Sequence, residues 1–195
     1  LFKKTLKRFK FIVLLILGGN GINIWTPRLL FKPDGRYSKL GESIKKYYKP
    51  LKEGIGKLLI TSELQKDPIG IIHSQNSLRI SYAEDIFDLW RESKNSVLKL
   101  IENIGFDPIW ISNEQIEKGD LKDKNIKVLF LPLTCSLSEN EIKNIREFVE
   151  KGGLLIGQIK IGIADGYGKI LKKGGLDEVF GIDRKEDNVL IRKET

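Results

Sequence analysis

The chain has 195 residues, of which 41% are hydrophobic, so it is long enough for one ordinary domain with a core and an additional segment. Its single cysteine excludes an internal disulfide framework and any zinc site built on several cysteines, which fits a reducing compartment. The net charge of +8 is uneven, because residues 1–57 carry +11 and the remainder −3. The basic residues are not interleaved with aromatic stacking residues and form no recognisable reading element, so we expect no nucleic-acid partner.

The first seventeen residues combine a basic run with the apolar run Phe11–Leu17, a pattern similar to a secretory signal. The apolar run is too short to span a bilayer, and no small-x-small cleavage pattern follows it. We therefore favour a buried helix or strand, a cytoplasmic location and no membrane partner, with a signal peptide as the alternative.

The next part of the chain is short and punctuated by Pro and Gly. Residues Gly18–Trp25 ("GGNGINIW") predict a glycine-rich turn that leads into an apolar strand, and Glu42–Lys52 predicts one helix. A piece of this size cannot bury a core alone, so it indicates the end of a larger domain, which we place at residues 1–57.

After Lys57, strands and helices alternate. The helix predicted over Tyr82–Ile104 has apolar residues at helical spacing and is closed by Gly105, and Ser138 with Glu141 forms a capping box that begins the next helix. The second helix should end at Gly152. The predicted strands are Ile69–Ser74, Pro108–Ser112, Lys127–Pro132 and Leu154–Ile159. This alternation predicts an α/β fold over residues 58–195, with a doubly wound, mostly parallel sheet covered on both faces.

Three stretches between Ile69 and Ile182 carry a family resemblance: "IGIIHSQNSLRIS", "IEKGDLKDKNIKVLFLPLTCSLSENEIKNIREFVEKGGLLIG" and "GGLDEVFGI". They resemble the trimerisation domain of family 42 glycoside hydrolases of the β-galactosidase type, which is similar in fold to flavodoxin-like class I glutamine amidotransferases. "LILGGNGINIWTPR" resembles the last strand of the (β/α)8 barrel in the same enzymes. The resemblance implies a barrel remnant followed by a noncatalytic domain, with a homotrimer and a β-galactoside as partners in a retaining parent enzyme.

Cys135 stands after the third predicted strand, where a reactive thiol is conceivable. In the amidotransferase-like fold that the resemblance implies, the nucleophile follows the strand after the capped helix, which here falls at Ile159–Ile161 and contains no thiol. A dyad of Cys135 with His73 is open geometrically, since both follow strands of a parallel sheet. An isolated cysteine is more often an inert apolar residue, so we assign no catalytic residue.

Sugar chemistry has one candidate residue. Trp25 matches the aromatic residue at the barrel end of the resembled family, and an indole offers a flat face to a sugar ring, so we expect Trp25 to bind substrate. Trp90 and Trp110 are expected in the core or an interface. Glycoside hydrolysis needs two opposed carboxyl groups, which the resemblance places upstream of Leu1. The carboxylates in this chain are spaced as solvated helix faces.

Cofactor and metal motifs are missing from the sequence. "GIADGYGKILKKGG" lacks the Gly-Lys-Ser/Thr end of a phosphate-binding loop, and zinc and calcium spacings are absent, so we expect no cofactor and no metal. The chain is thus interpreted as an oligomerisation portion of a glycoside hydrolase. Two alternatives are a free-standing amidotransferase-like binding module and a thiol enzyme that uses Cys135.

Overall fold

The structure, a computed structural model, describes residues 27–63 and 65–184. The chain separates into two compact units, Leu1–Gln65 and Lys66–Thr195. The basic apolar stretch 1–17 and the strand predicted over Gly18–Trp25 lie outside the described residues. The assignment of residues 1–57 to a barrel remnant stays a prediction.

The described part of the first unit begins with the 3-10 helix Pro27–Leu29 and a turn closed by an antiparallel bridge between Phe31 and Tyr37, and it is helical from Lys39 to Thr61. Helix α1 (Lys39–Pro50) continues through a wider π-type turn (Leu51–Ile55) into α2 (Gly56–Thr61). The Ser38 hydroxyl accepts the Gly41 N–H and caps α1, so the helix begins before the predicted start at Glu42. Gly54 has a φ of +148°, which marks a kink that a side chain would oppose.

The second unit contains a four-stranded parallel sheet in the order β2-β1-β3-β4. The strands are β1 (Ile69–His73), β2 (Ile109–Ser112), β3 (Val128–Leu131) and β4 (Leu154–Gly157). Each lies within a predicted strand, so the parallel α/β prediction is confirmed. The doubly wound, flavodoxin-like arrangement stays a prediction.

Six helices accompany this sheet in the described part of the unit. They are α3 (Gln75–Ala83), α4 (Phe87–Asn103), α5 (Asn113–Glu117), α6 (Asp120–Asp123), α7 (Glu139–Glu150) and α8 (Asp177–Phe180). The capping box at Ser138 and Glu141 is confirmed, and Gly152 adopts a φ of +89° just after α7, as the C-cap prediction requires.

The helix predicted over Tyr82–Ile104 is confirmed over Phe87–Asn103, but its predicted start is wrong, because Tyr82 and Ala83 belong to α3. Asp85, with a φ of +54°, interrupts the chain between α3 and α4, a conformation that Asp tolerates better than most residues. The Ile86 N–H turns back to the Ser81 carbonyl. Two shorter helices therefore connect β1 to β2.

The two faces of the sheet are covered unequally. On the closed face, residues of β1, β2 and β3 pack in one core with α5, α6, α7 and α8, and Ile72, Ile111 and Leu129 are fully buried there. On the open face, Ile69 and Ile71 pack against Val97 and Ile101 of α4.

The open face is exposed on both sides of this contact. Trp110 pairs with Ile71, whereas Leu154 and Ile156 pair with Val128 and Phe130, and register partners point to the same face. The exposed fractions are 42% for Trp110, 55% for Leu154 and 38% for Ile156. Within residues 27–63 and 65–184, the cover predicted for both faces is therefore extensive on the closed face and partial on the open face.

Candidate functional site

The carboxyl ends of β1, β2 and β3 bring polar residues to one edge of the sheet. His73 ends β1 and Ser74 follows it, Ser112 ends β2 and Asn113 follows it, and the turn containing Cys135 follows β3. Ligands of parallel α/β folds bind at this edge, so these residues form the candidate site.

Cys135 is fully buried, in an apolar cluster with Ile163 and Ile80. The segment after β4 holds the turn in place, because the Ala164 N–H donates to the Cys135 carbonyl and the Gly162 N–H to the Thr134 carbonyl. Burial raises the pKa of the Cys135 thiol, more than the Ser77 hydroxyl lowers it. A thiol in this environment resists forming the thiolate that nucleophilic chemistry needs.

Hydrogen bonds among three buried serines join this turn to the start of α3. The Ser74 and Ser77 hydroxyl oxygens are 2.8 Å apart, and the Ser77 hydroxyl both accepts the Ser136 N–H (3.1 Å) and donates to the Ser136 carbonyl (3.2 Å). The Ser74 hydroxyl also accepts the Ser77 N–H as the cap of α3. These hydroxyls are therefore engaged in structure, and sequence reasoning did not identify them.

His73 lies in a different environment from Cys135. Its Nδ1 is 2.9 Å from the Lys94 ammonium, which stands 3.9 Å from the ring centre of Trp90 and 5.5 Å from that of Trp110. Burial, with a smaller contribution from the Lys94 charge, lowers the pKa of His73, and burial lowers the pKa of Lys94. A neutral imidazole that accepts from an ammonium is the arrangement these shifts favour.

The two tryptophans beside Lys94 differ in how deeply they are buried. Trp90 is buried and stacks on Phe87, as expected of a core residue. Trp110 is half exposed beside His73, at the edge-to-face distance of 6.5 Å between ring centres. The contact between His73 and Lys94 was not predicted, since nothing in a spacing of 21 residues indicates it.

A second polar network joins β2 to α7. The buried Glu141 accepts from the Ser138 N–H at 2.8 Å and from the Asn113 side chain at 2.9 Å, while Asn113 accepts the Gln75 N–H. Burial raises the pKa of Glu141, against the opposing effect of its hydrogen bonds. The Glu141 carboxyl group and Asn113 thus connect the first turns of α3, α5 and α7 through hydrogen bonds.

Between these networks lies an open polar pocket of about 450 Å³. Its lining consists of His73, Gln75, Asn76, Arg79, Ser112, Asn113, Glu114 and Glu117. The Ser112 hydroxyl accepts the Gln115 N–H as the cap of α5, and Ser112 is the register partner of His73 on the neighbouring strand. The pocket is equipped to bind a polar molecule by hydrogen bonds.

The described residues contain no group of three or more His, Cys, Asp or Glu side chains that could hold a metal ion. In the same residues no helix is both long enough and apolar enough to cross a membrane. Trp25, the predicted sugar contact, lies outside the described residues and stays a prediction. Ile159–Ile161 follows β4 as predicted and carries no thiol.

A parallel sheet with helices in its crossovers defines the second unit as an α/β fold, and two solved structures share the fold of this chain. One is the β-galactosidase from Bifidobacterium adolescentis, with a TM-score of 0.54 and 15% identity over 65% of this chain and 59% of that one. The other is Gan42B, a GH42 β-galactosidase, with a TM-score of 0.54 and 19% identity over 76% of this chain and 22% of that one.

At these identities the likeness shows a shared fold, and the chain spans less than two thirds of either β-galactosidase chain. No protein-family model and no curated protein matches the sequence.

Proposed function

We propose that this chain is the noncatalytic trimerisation portion of a β-galactosidase-like glycoside hydrolase that acts in carbohydrate breakdown. The observation that carries the proposal is the α/β fold that the chain shares with two β-galactosidase structures, together with the sequence blocks that resemble the family 42 trimerisation domain. In this proposal residues 58–195 form an amidotransferase-like oligomerisation domain and residues 1–57 the end of the catalytic barrel.

The described chemistry supports a noncatalytic role. A working amidotransferase-like enzyme would need an exposed thiolate beside a base, whereas Cys135 is fully buried with a raised pKa and His73 pairs with Lys94. A retaining glycosidase needs two carboxyl groups about 5–5.5 Å apart around the scissile bond. The proposal assigns that pair, and the galactoside, to the upstream part of a larger enzyme, with Trp25 as a wall of the sugar site.

Mass measurement and an activity assay test this proposal together. Sedimentation equilibrium of the purified chain should give three times its mass of 22.3 kDa, and the same sample should hydrolyse no nitrophenyl galactoside. A monomer at all accessible concentrations would contradict the trimerisation role. Turnover that persists through repeated purification would contradict the noncatalytic role.

One observation favours a second candidate, a free-standing binding module. The open polar pocket beside His73 and Arg79 lies at the edge where α/β folds hold ligands. This candidate predicts a monomer or dimer, and in the source cells a polypeptide of 22.3 kDa by immunoblot. A much heavier polypeptide favours the hydrolase fragment instead.

A further inference from the structure

The open face of the sheet brings a lysine, a histidine and two tryptophans together. His73 on β1 and Trp110 on β2 point to this face, because Trp110 pairs with Ile71, which lies two residues before His73. Trp90 and Lys94 are four residues apart on α4, which packs against the same face, so their side chains are neighbours. We call Lys94, His73, Trp90 and Trp110 the Lys94 cluster.

The side-chain nitrogen of Lys94 has an unusual partner for a lysine. Lys66, Lys151 and Lys173 each pair with a carboxylate, whereas Lys94 forms no ion pair with a carboxylate of the described residues and lies 2.9 Å from the His73 Nδ1. One of two nitrogens at this distance must supply a lone pair, so the lysine and the imidazole are not both protonated. The partner of Lys94 is therefore a base that exchanges protons near neutral pH.

The surroundings of Lys94 increase the share of free amine and fix its position. Burial lowers the pKa of Lys94, so more of this side chain is unprotonated at neutral pH than for a lysine in water. The nitrogen stands 3.9 Å from the ring centre of Trp90 and 5.5 Å from that of Trp110, so two indole rings position it. Desolvation beside apolar groups is a common way to make a lysine nucleophilic.

Small molecules have access to the Lys94 cluster from solvent. Trp110 exposes 42% of its surface, and Lys94 and His73 are each partly exposed. His73 also lines the polar pocket of about 450 Å³, so a small polar molecule in that pocket reaches the imidazole. Because two indole rings stand next to the Lys94 nitrogen, they restrict the approach of a bulky reactant more than that of a small one.

We propose that Lys94 is a carbonyl-reactive site, at which its amine forms a Schiff base with a small aldehyde while His73 transfers the protons. The nitrogen lone pair forms a bond to the carbonyl carbon, and the C=O π electrons pass to the oxygen. The His73 Nδ1 accepts a proton from the nitrogen and delivers it to that oxygen, which gives a neutral carbinolamine. A second transfer by the same route releases one water molecule and leaves the C=N bond, so no oxidant or reductant is consumed.

Reductive labelling of the full chain, resolved by site, tests this reactivity. The native chain is treated with glycolaldehyde and cyanoborohydride, which reduces the imine to a stable amine, and the labelled peptides are quantified by mass spectrometry. Lys94 should react about tenfold or more faster than Lys99, an exposed lysine of the same helix, because acid–base catalysis adds to its larger share of free amine. In the chain unfolded by urea the two lysines should react at equal rates.

His73→Gln separates proton transfer by the imidazole from the effect of burial. Glutamine still hydrogen-bonds to Lys94 but accepts no proton at neutral pH, so labelling of Lys94 should slow about fivefold or more while labelling of Lys99 is unchanged. The matched control is Asn95→Gln, which changes an exposed residue of α4 and should leave both rates unchanged. Circular dichroism melting checks that both variants are folded, and the comparison of native with unfolded wild type needs no variant.

The outcomes distinguish this site from the proposed function. Native labelling of Lys94 that is no faster than that of Lys99 contradicts the carbonyl-reactive site in any oligomeric state. An unchanged rate at Lys94 in folded His73→Gln contradicts proton transfer by the imidazole. A monomeric chain with fast labelling of Lys94 contradicts trimerisation alone, and fast labelling that is lost on unfolding and slowed by His73→Gln supports the site.

Discussion

The closed and open faces of the sheet differ in how much of their apolar surface is covered. Both faces are formed by the same four apolar strands, which contribute alternate residues to each. On the closed face four helices, α5 to α8, pack against β1, β2 and β3, and Leu129 and Ile145 are fully buried. On the open face α4 covers only the middle of the sheet, and Leu154 is left more than half exposed. The comparison teaches that most of the apolar burial among the described residues lies on one face, while the other keeps apolar side chains in contact with water.

The largest expected effect concerns the helix that completes the closed face. Asp177, at the start of α8, is buried and accepts from the Gly174 N–H (2.7 Å) and from Arg184 (2.9 Å). Asp177→Ala should lower the free energy of unfolding by about 3–5 kcal/mol, because it leaves the Arg184 guanidinium without its buried counter-charge. Denaturant unfolding measures this, and Glu178→Ala, at an exposed ion pair, should change little.

The second prediction compares the faces directly through one type of substitution. Leu129→Ala on the closed face should cost about 2–5 kcal/mol, since it leaves a cavity among packed side chains. Leu154→Ala on the open face should cost below about 1 kcal/mol in the dissociated chain, because much of that side chain is already in water. Equal losses of unfolding free energy for the two variants, measured by urea unfolding, would contradict the difference between the faces.

The stability of the folded chain should depend on pH through Glu141, in the capping box of the closed-face helix α7. The pKa of Glu141 is raised by burial above its ordinary value of 4.5, so the folded chain holds this proton more tightly than the unfolded chain. The stability that this group contributes is therefore fully present below pH 4.5 and is lost as the pH rises through the raised pKa.

Glu141→Gln removes this titration and keeps an oxygen that can accept from the Ser138 N–H. From pH 4.5 towards neutrality, the wild type should lose stability relative to the variant. Thermal melting at several pH values measures the difference. A difference that stays constant over this range would show that Glu141 has the same pKa in both states.

The smallest expected effect is on the open face, at the contact between Lys94 and His73. Lys94→Met removes a positive charge beside the imidazole, so the pKa of His73 should rise, while the lowering caused by burial remains. The chain has one histidine, so its NMR titration is assigned without ambiguity. Lys99→Met, on an exposed part of the same helix, should leave that titration unchanged.

Sequence patterns predicted the elements well where local chemistry decides them. Four apolar runs bounded by polar or small residues became the four strands, and Ser138 with Glu141 formed the expected cap because both partners lie within one helical turn. The break at Asp85 was missed because no Gly or Pro marks it. Helical periodicity continued through "YAEDIF" as if one helix ran across it.

The site was harder to predict because its contacts join residues that are distant in sequence. The hydrogen bonds between Ser77 and Ser136 span 59 residues, and neither serine stands in a recognisable motif. Likewise, "LLIG" is as apolar as "VLFL", so nothing in its composition distinguishes the edge strand β4 from the inner strand β3. That difference arises only from strand order, which tertiary packing determines.

The burial of Cys135 gives the molecule a built-in reporter of its own fluctuations. Because the chain has a single sulfhydryl and the folded state shields it completely, a reagent reaches it only during transient opening of the turn after β3. The labelling rate at increasing denaturant then separates local opening, which is insensitive to denaturant, from global unfolding, which is steeply dependent on it. Cys135 becomes accessible when the segment after β4 that covers this turn moves away. The free energy of that local opening should therefore be the smallest that gives a reagent access to the interior.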